Sequence, residues 1–242
     1  MRALAASQEP KGGTKHRIIE VATRLFAEHG IDAVSLRDIV VEANVNLAAI
    51  NYHFGSKELL IRDVYRRLLM ALNELRLKAL DDCEVATKER PLKPEAIVRA
   101  LVAPMVHFST SSQNDGIYFV RLMFHGYGVR RNFIDQSVTE QVDHIALRFV
   151  EALQKSLPKV SREDLFWRFD FAIGAWLHIL IDTQRGHRLK RLSDKLCDTD
   201  DNERIIDQLT ASLTASFSAP SLPPRKRQPG KALGAIPKKR RK

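Results

Sequence analysis

Twenty residues, Ser35 to Phe54, constrain this chain more than any other stretch: SLRDIVVEANVNLAAINYHF. Ser35-Leu36-Arg37-Asp38 has the form of a capping box with Asp in place of Glu, and it opens a short helix that ends near Ala43. Asn44 follows. After Gly, Asn best tolerates the left-handed backbone that a tight turn between helices requires. Another helix spans about Leu47 to Phe54. Ile39, Ala43, Val45 and Ile50 fall where two such helices share a core, and Asn46, Asn51, Tyr52 and His53 are left over as a short polar and aromatic face. Two short helices joined by a tight turn form a helix-turn-helix. Such a face suits the major groove of a duplex and its flanking phosphates.

The surrounding residues extend the pattern. Thr14 is placed to cap a first helix running to about Glu28, with Ile18, Ala22, Leu25 and Phe26 at helical spacing and Gly30 as its stop. Gly55 ends the helix at Phe54, and Ser56 caps a long fourth helix reaching about Leu80. From Gly30 to Leu60 the chain resembles the DNA-binding region of the TetR family of bacterial regulators. The segment Tyr52-His53-Phe54-Gly55-Ser56-Lys57-Glu58-Leu59-Leu60 is similar to that family's most distinctive signature. The resemblance covers about Thr14 to Leu60 and departs at Val40, where the family usually carries Ala.

Chemistry and resemblance together suggest roles. Ser35 and Arg37 begin the second helix, whose amides and positive dipole end suit a phosphate. Asn46, Leu47, Ala48 and Asn51 lie at the start or outer face of the recognition helix. The small Ala48 and Ala49 allow close approach to a thymine methyl, and Asn51 is the candidate for a bidentate contact to adenine. Tyr52 and His53 are phosphate donors in this reading, and Lys57 supplies a charge. Phe54 packs inside. Other roles stay open: Asn46 as a cap alone, Arg37 as a solvated charge, Tyr52 and His53 as packing residues.

Beyond the head the pattern stays helical. Pro91 and Pro94 mark a loop, and helices are expected at about 94–110, 116–125, 130–156, 161–185 and 201–217. With no alternating strand pattern, the expected fold is all-α, about nine helices in total. The chain divides into a disordered arm (1–13), a three-helix helix-turn-helix DNA-binding domain (14–60), a helical ligand-binding and dimerisation domain (61–219) and a disordered basic tail (220–242). The resemblance implies a homodimer through the helices at 161–185 and 201–217, each subunit reading one half of a palindromic operator in double-stranded DNA. The earlier of these helices is apolar over several faces, so a partner subunit or a ligand is expected to cover what its own core does not.

Soft and aromatic residues gather in the central helices. Met105, Phe108, Phe119, Leu122, Met123, Phe149, Ile173 and Trp176 are candidates to line an elongated apolar cavity, although such residues taken singly are more often plain core. Arg121 sits inside the apolar run Tyr118 to Phe124. It offers a partner to an anionic head group, or faces solvent or an acid such as Asp170. Leu165-Phe166-Trp167-Arg168-Phe169 and Ile173-Gly174-Ala175 resemble the C-terminal domain of fatty-acid-responsive TetR regulators of the pseudomonad sigma-regulator type, with support from Asn114-Asp115 and Phe119-Val120-Arg121-Leu122. That resemblance implies a small hydrophobic effector such as a fatty acid or acyl-CoA, and a repressor that it releases from DNA.

Bulk composition bounds the alternatives. The net charge of +10 is concentrated in the tail from Pro220 to Lys242, which holds nine basic residues and no acid, leaving +1 for the rest. Charge therefore says little about the folded body. The tail either strengthens DNA association without sequence preference or is a solubilising appendage. Cys83 and Cys197 stand far apart in no metal-ligand spacing, so a reducing cytoplasm is the expected compartment. No apolar run has the length of a membrane span. Eight histidines are scattered without metal-ligand spacing, and no cofactor loop or set of nucleophile, base and orienter stands out, so no metal, cofactor or catalysis is expected. A helical metabolite-binding enzyme and a tail-driven non-specific DNA binder are the alternative functions.

Overall fold

The computed structural model describes residues 13–87, 91–111, 115–128, 136–184 and 186–223. The N-terminal arm up to residue 12, Asn114 and the basic residues of the tail lie outside the described residues. Ten helices run in chain order: α1 (Thr14–His29), α2 (Leu36–Glu42), α3 (Leu47–Phe54), α4 (Lys57–Ala86), α5 (Pro94–Thr110), α6 (Gly116–Gly128), α7 (Gln136–Ser156), α8 (Arg162–Gln184), α9 (Arg188–Leu192) and α10 (Asn202–Ser218). Among the described residues there is no strand, and no helix is long and apolar enough to cross a membrane.

Local chemistry sets most boundaries. Ser35 and Asp38 form the capping box: Ser35 Oγ accepts from the Asp38 amide at 3.2 Å, and the Ser35 amide donates to the Asp38 carboxylate at 2.7 Å. Asn46 Oδ1 accepts from the Ala49 amide at 2.8 Å, and Ser56 Oγ accepts from the Leu59 amide at 3.2 Å. Asn44 takes the left-handed backbone, φ 49°. Gly55 has φ 78°, a conformation that any side chain would strain. Thr14 departs from expectation. It is the first helical residue, and the cap position belongs to Gly13, which offers no side-chain acceptor.

α4 is longer than its sequence suggested. Asp81, Asp82 and Glu84 put negative charge at a helix C-terminus, which the helix dipole disfavours. Arg148 of α7 offsets this, reaching Asp81 at 3.1 Å and Glu84 at 2.8 Å, and the helix continues to Ala86. α4 also runs unbroken through residues 60 and 61, so the expected domain boundary falls inside a helix. α9 was not anticipated. It is a single turn after left-handed His187, anchored where the Leu189 amide donates to the buried carboxylate of Asp182 at 3.0 Å.

One core runs from Ile18 and Phe26 in α1 to Leu213 and Phe217 in α10. α4 packs on α1, α5 and α7, while α10 packs on α5 and α8. Arg99 of α5 clamps α10 through Asp207 at 2.7 Å and Glu203 at 3.0 Å. Arg168 of α8 is buried and donates to the carbonyls of Phe217, Ala219 and Pro220 at 2.8, 2.7 and 2.9 Å. These are the carbonyls at the end of α10, which the helix itself cannot satisfy. A charged guanidinium makes strong bonds to them and fixes the two helices together.

Candidate nucleic-acid interface and ligand cavity

Burial of four apolar residues fixes how α2 and α3 present their surfaces. Ile39, Ala43, Ile50 and Phe54 are all buried, so the opposite faces turn outward. Ser35, Arg37, Asn46, Leu47, Ala48, Asn51 and Tyr52 are exposed on that side, and His53 and Lys57 are half-buried at its edge. Tyr52 is 86% exposed, so packing does not explain a ring of that size there. Its ring meets that of His53 edge-on, 5.1 Å between centroids. Lys57 Nζ lies 5.9 Å from the Phe26 ring centroid, which steadies the ammonium beside the start of α4.

Two of these groups are partly committed. Asn46 caps α3 with its oxygen, leaving its amide nitrogen for any outside contact. The Ser35 hydroxyl and amide both donate to Asp38. These donors hold the Asp38 carboxyl below its usual range. The anion-binding capacity of the α2 N-terminus therefore rests on the amides of Leu36 and Arg37 and the Arg37 side chain, which has no carboxylate partner among the described residues.

The second feature is internal. A cavity of about 80 Å³ lies between α4, α5, α6, α7 and α8. Of the nine candidate lining residues, Phe119, Met123, Ile173 and Trp176 line it. Met105, Phe108, Leu122 and Phe149 are buried core residues outside its lining. Arg121 is corrected: it is exposed on α6. Its neighbours Phe119, Val120 and Leu122 are buried, and helical geometry turns residue 121 to the solvent side.

The charge that does reach the cavity is Arg76, on α4. It is 7% exposed and lines the cavity together with buried Asn73. Its Nε donates to the Leu101 carbonyl at 3.1 Å, its Nη2 reaches Met105 Sδ at 3.2 Å, and its guanidinium sits 5.6 Å from the Trp176 ring centroid. Burial lowers its pKa to about 10, which leaves it charged near neutral pH. No carboxylate pairs with it among the described residues. Sequence reasoning missed it, although a signal exists: Leu69, Leu72, Asn73, Arg76 and Leu80 share the inward stripe of α4, and a charge on that stripe interrupts an otherwise apolar pattern.

Polar contacts join this region to the head. The buried Tyr65 hydroxyl on α4 donates to the Leu122 carbonyl on α6 at 2.6 Å. Arg67 on α4 pairs with Asp115 just before α6, at 3.3 Å, and with Glu20 on α1 at 3.8 Å. Burial raises the Asp115 carboxyl pKa. Gly116 opens α6 hard against the Phe108 carbonyl of α5, where a Cβ would collide with backbone. α6 therefore touches the cavity through Phe119 and Met123, and the head through Asp115 and its packing on α1.

A third surface runs along α8. Trp167 is 57% and Phe171 61% exposed, their rings 5.9 Å apart. With Gly174, Ala175 and His178 they form one exposed helical stripe. Ala175 and His178 share an open cleft of about 610 Å³ with Gln208 and Ser212 of α10 and with Leu189, Leu196 and Cys197. Among the described residues no group of His, Cys, Asp or Glu is arranged to hold a metal.

Comparison with known proteins agrees with this architecture. Residues 18–64 match the family described as bacterial regulatory proteins, tetR family, and residues 99–216 match the tetracyclin repressor-like C-terminal domain. The HTH-type transcriptional repressor KstR2 of Rhodococcus jostii is 34% identical over 59 residues, which are 24% of this chain and 29% of that protein. The HTH-type transcriptional regulator AcrR of Shigella flexneri is 26% identical over 112 residues, 46% of this chain and 48% of that protein. The chain thus spans less than half the length of these relatives. In fold it is similar to the fatty acid degradation regulator FadR of Bacillus halodurans, with a TM-score of 0.62 at 15% identity, covering 85% of this chain and 97% of that one. The two family matches fall on the reading head and on the helical body, together about two thirds of the sequence, and the chain belongs to the TetR family.

Proposed function

We propose that this protein is a DNA-binding transcriptional regulator, a repressor that binds a palindromic operator as a homodimer and is released by a small effector. One observation carries the reading: a polar and aromatic face, Asn46 to His53, exposed on a short helix whose opposite side is locked into the core. No packing among the described residues accounts for exposed Tyr52, and contact with a duplex would. In this reading Asn51 reads a base edge, Leu47 and Ala48 lie close to the groove floor, and Arg37, Tyr52, His53 and Lys57 hold phosphates, with Ser35 and Asn46 at the helix starts. The names of relatives such as the repressor KstR2 favour repression.

A single head contacts few base pairs, so selectivity needs two. The aromatic stripe of α8, with Gln208 and Ser212 of α10 beside it, supplies a surface for the second subunit, since an apolar patch of this kind marks an interaction site. Effector release then follows from differential affinity: a ligand that binds better to the conformer with mismatched head spacing shifts the population away from DNA. The likeness to fatty-acid-responsive regulators supports an effector with apolar surface. The cavity favours a compact one, and a long acyl chain would have to widen it.

Footprinting on the promoter adjacent to the gene tests the reading. The expected result is a protected inverted repeat, with Asn51→Ala and Tyr52→Ala each weakening binding by about 1–3 kcal/mol. Removal of residues 224–242 is expected to lower affinity while keeping sequence preference. Equal binding to promoter and random duplex would refute it, and loss of all binding on removing those residues would favour the tail-driven alternative.

A further inference from the structure

A charge withdrawn from water requires a counter-charge or hydrogen-bond acceptors in its place. Arg76 has incomplete compensation. A carbonyl, a thioether and an aromatic face meet it, none bearing net charge. Of the described residues around the cavity, only Asn73 and Arg76 are polar and none is acidic. Among these residues an anion meets one positive charge and no negative one. The walls beside it are apolar or aromatic: Leu69, Phe119, Phe169 and Trp176.

We propose that this cavity binds a carboxylate carried on a compact apolar or aromatic group, with the Arg76 guanidinium as its counter-ion and the Trp176 ring against its body. The proposal rests on reading the helical body as an effector domain, and it names the effector's chemical class. A planar guanidinium fork matches a carboxylate geometrically, and one carboxylate balances one guanidinium. A phosphate dianion would leave a second charge uncompensated among apolar walls. The volume, about 80 Å³, suits a short aliphatic acid as it stands, and an aromatic acid would have to widen it. The position has a consequence for signalling. Arg76 links α4 to α5 through the Leu101 carbonyl and Met105 and lies against Trp176 of α8. A carboxylate that draws the guanidinium away from these partners changes how three helices are held.

Calorimetric titration of the full chain without DNA tests this, using two matched pairs: butyrate against butyramide and benzoate against benzamide. At least one acid is expected to bind at least about tenfold more tightly than its amide. Arg76→Met is expected to abolish that preference and, free of ligand, to melt no lower than the native chain, because the incompletely compensated charge is gone. Arg76→Lys retains charge without the fork and is expected to keep the preference at reduced affinity, which serves should the Met variant not fold. Equal binding of acid and amide, binding of neither, or an acid preference surviving Arg76→Met each overturns the proposal. Because no DNA is present, such a failure leaves the operator reading standing, and a failed footprint leaves this result standing.

Discussion

Asn44 offers a test of the turn on which the reading head depends. The residue is exposed, so its side chain contributes no burial. Its backbone is left-handed at φ 49°, and the turn is closed by the Asn44 amide donating to the Val41 carbonyl at 3.2 Å and the Val45 amide donating to the Val40 carbonyl at 3.1 Å. Substitution there isolates the backbone term. Asn44→Ala places a Cβ in a conformation costing about 1–2 kcal/mol, less whatever strain Asn already bears, so a net loss of about 1 kcal/mol is expected. For a chain of this length that is a fall of about 2–4 °C in melting temperature. Asn44→Val should lose more, because β-branched residues tolerate this region least. Asn44→Gly should stay within about 0.5 kcal/mol of the native chain, since relief of strain offsets the greater entropy of the unfolded glycine. Calorimetric melts of the three variants read the order directly. If Ala matches the native chain, or Gly falls as far as Ala, the conformation at residue 44 does not govern the turn and the reasoning fails.

Other expectations follow from the same contacts. Phe171→Glu places a charge on the exposed aromatic stripe of α8, and sedimentation should show a shift from dimer to monomer; an undiminished dimer would place the subunit contact elsewhere. Arg168→Met leaves the end carbonyls of α10 without their guanidinium partner and should cost about 2–4 kcal/mol by urea denaturation, a change below about 0.5 kcal/mol refuting its anchoring role. Asp38, held below its usual range by the Ser35 donors, binds a proton less readily folded than unfolded. Its contribution is complete above the unfolded value and disappears as pH falls through the lower folded one. Melting temperature should therefore fall more steeply below about pH 4 in the native chain than in Ser35→Ala, and parallel curves would refute the coupling.

The head was legible because its signals are local. A serine three residues before an aspartate, an asparagine between two apolar patterns and a glycine after Phe54 act through neighbouring backbone, and the structure shows each acting so. The body was less legible because its determinants are distant in sequence. Past its acidic end α4 is met by Arg148, more than sixty residues later, which pairs with Asp81 and Glu84. Arg121 drew attention by interrupting an apolar run, yet its position on the helix turns it outward. Arg76 reaches the interior because Leu101, Met105 and Trp176 surround it, and no short window of sequence contains all four. Burial decides which of two arginines matters to a cavity, and burial is a property of the assembled helices.

The unbroken course of α4 gives the molecule a mechanical gain. Lys57 at its first turn and Arg76 midway along it are nineteen residues apart on one rod, about 28 Å of axial rise. A tilt of about 5° pivoting at Arg76 would carry the Lys57 end through about 2.5 Å at that rise. In a pair of subunits the displacement is doubled when the rods swing apart. Under the proposed function, an adjustment around one buried guanidinium would become a change in reach of about 5 Å, more than the roughly 3.4 Å rise between adjacent base pairs.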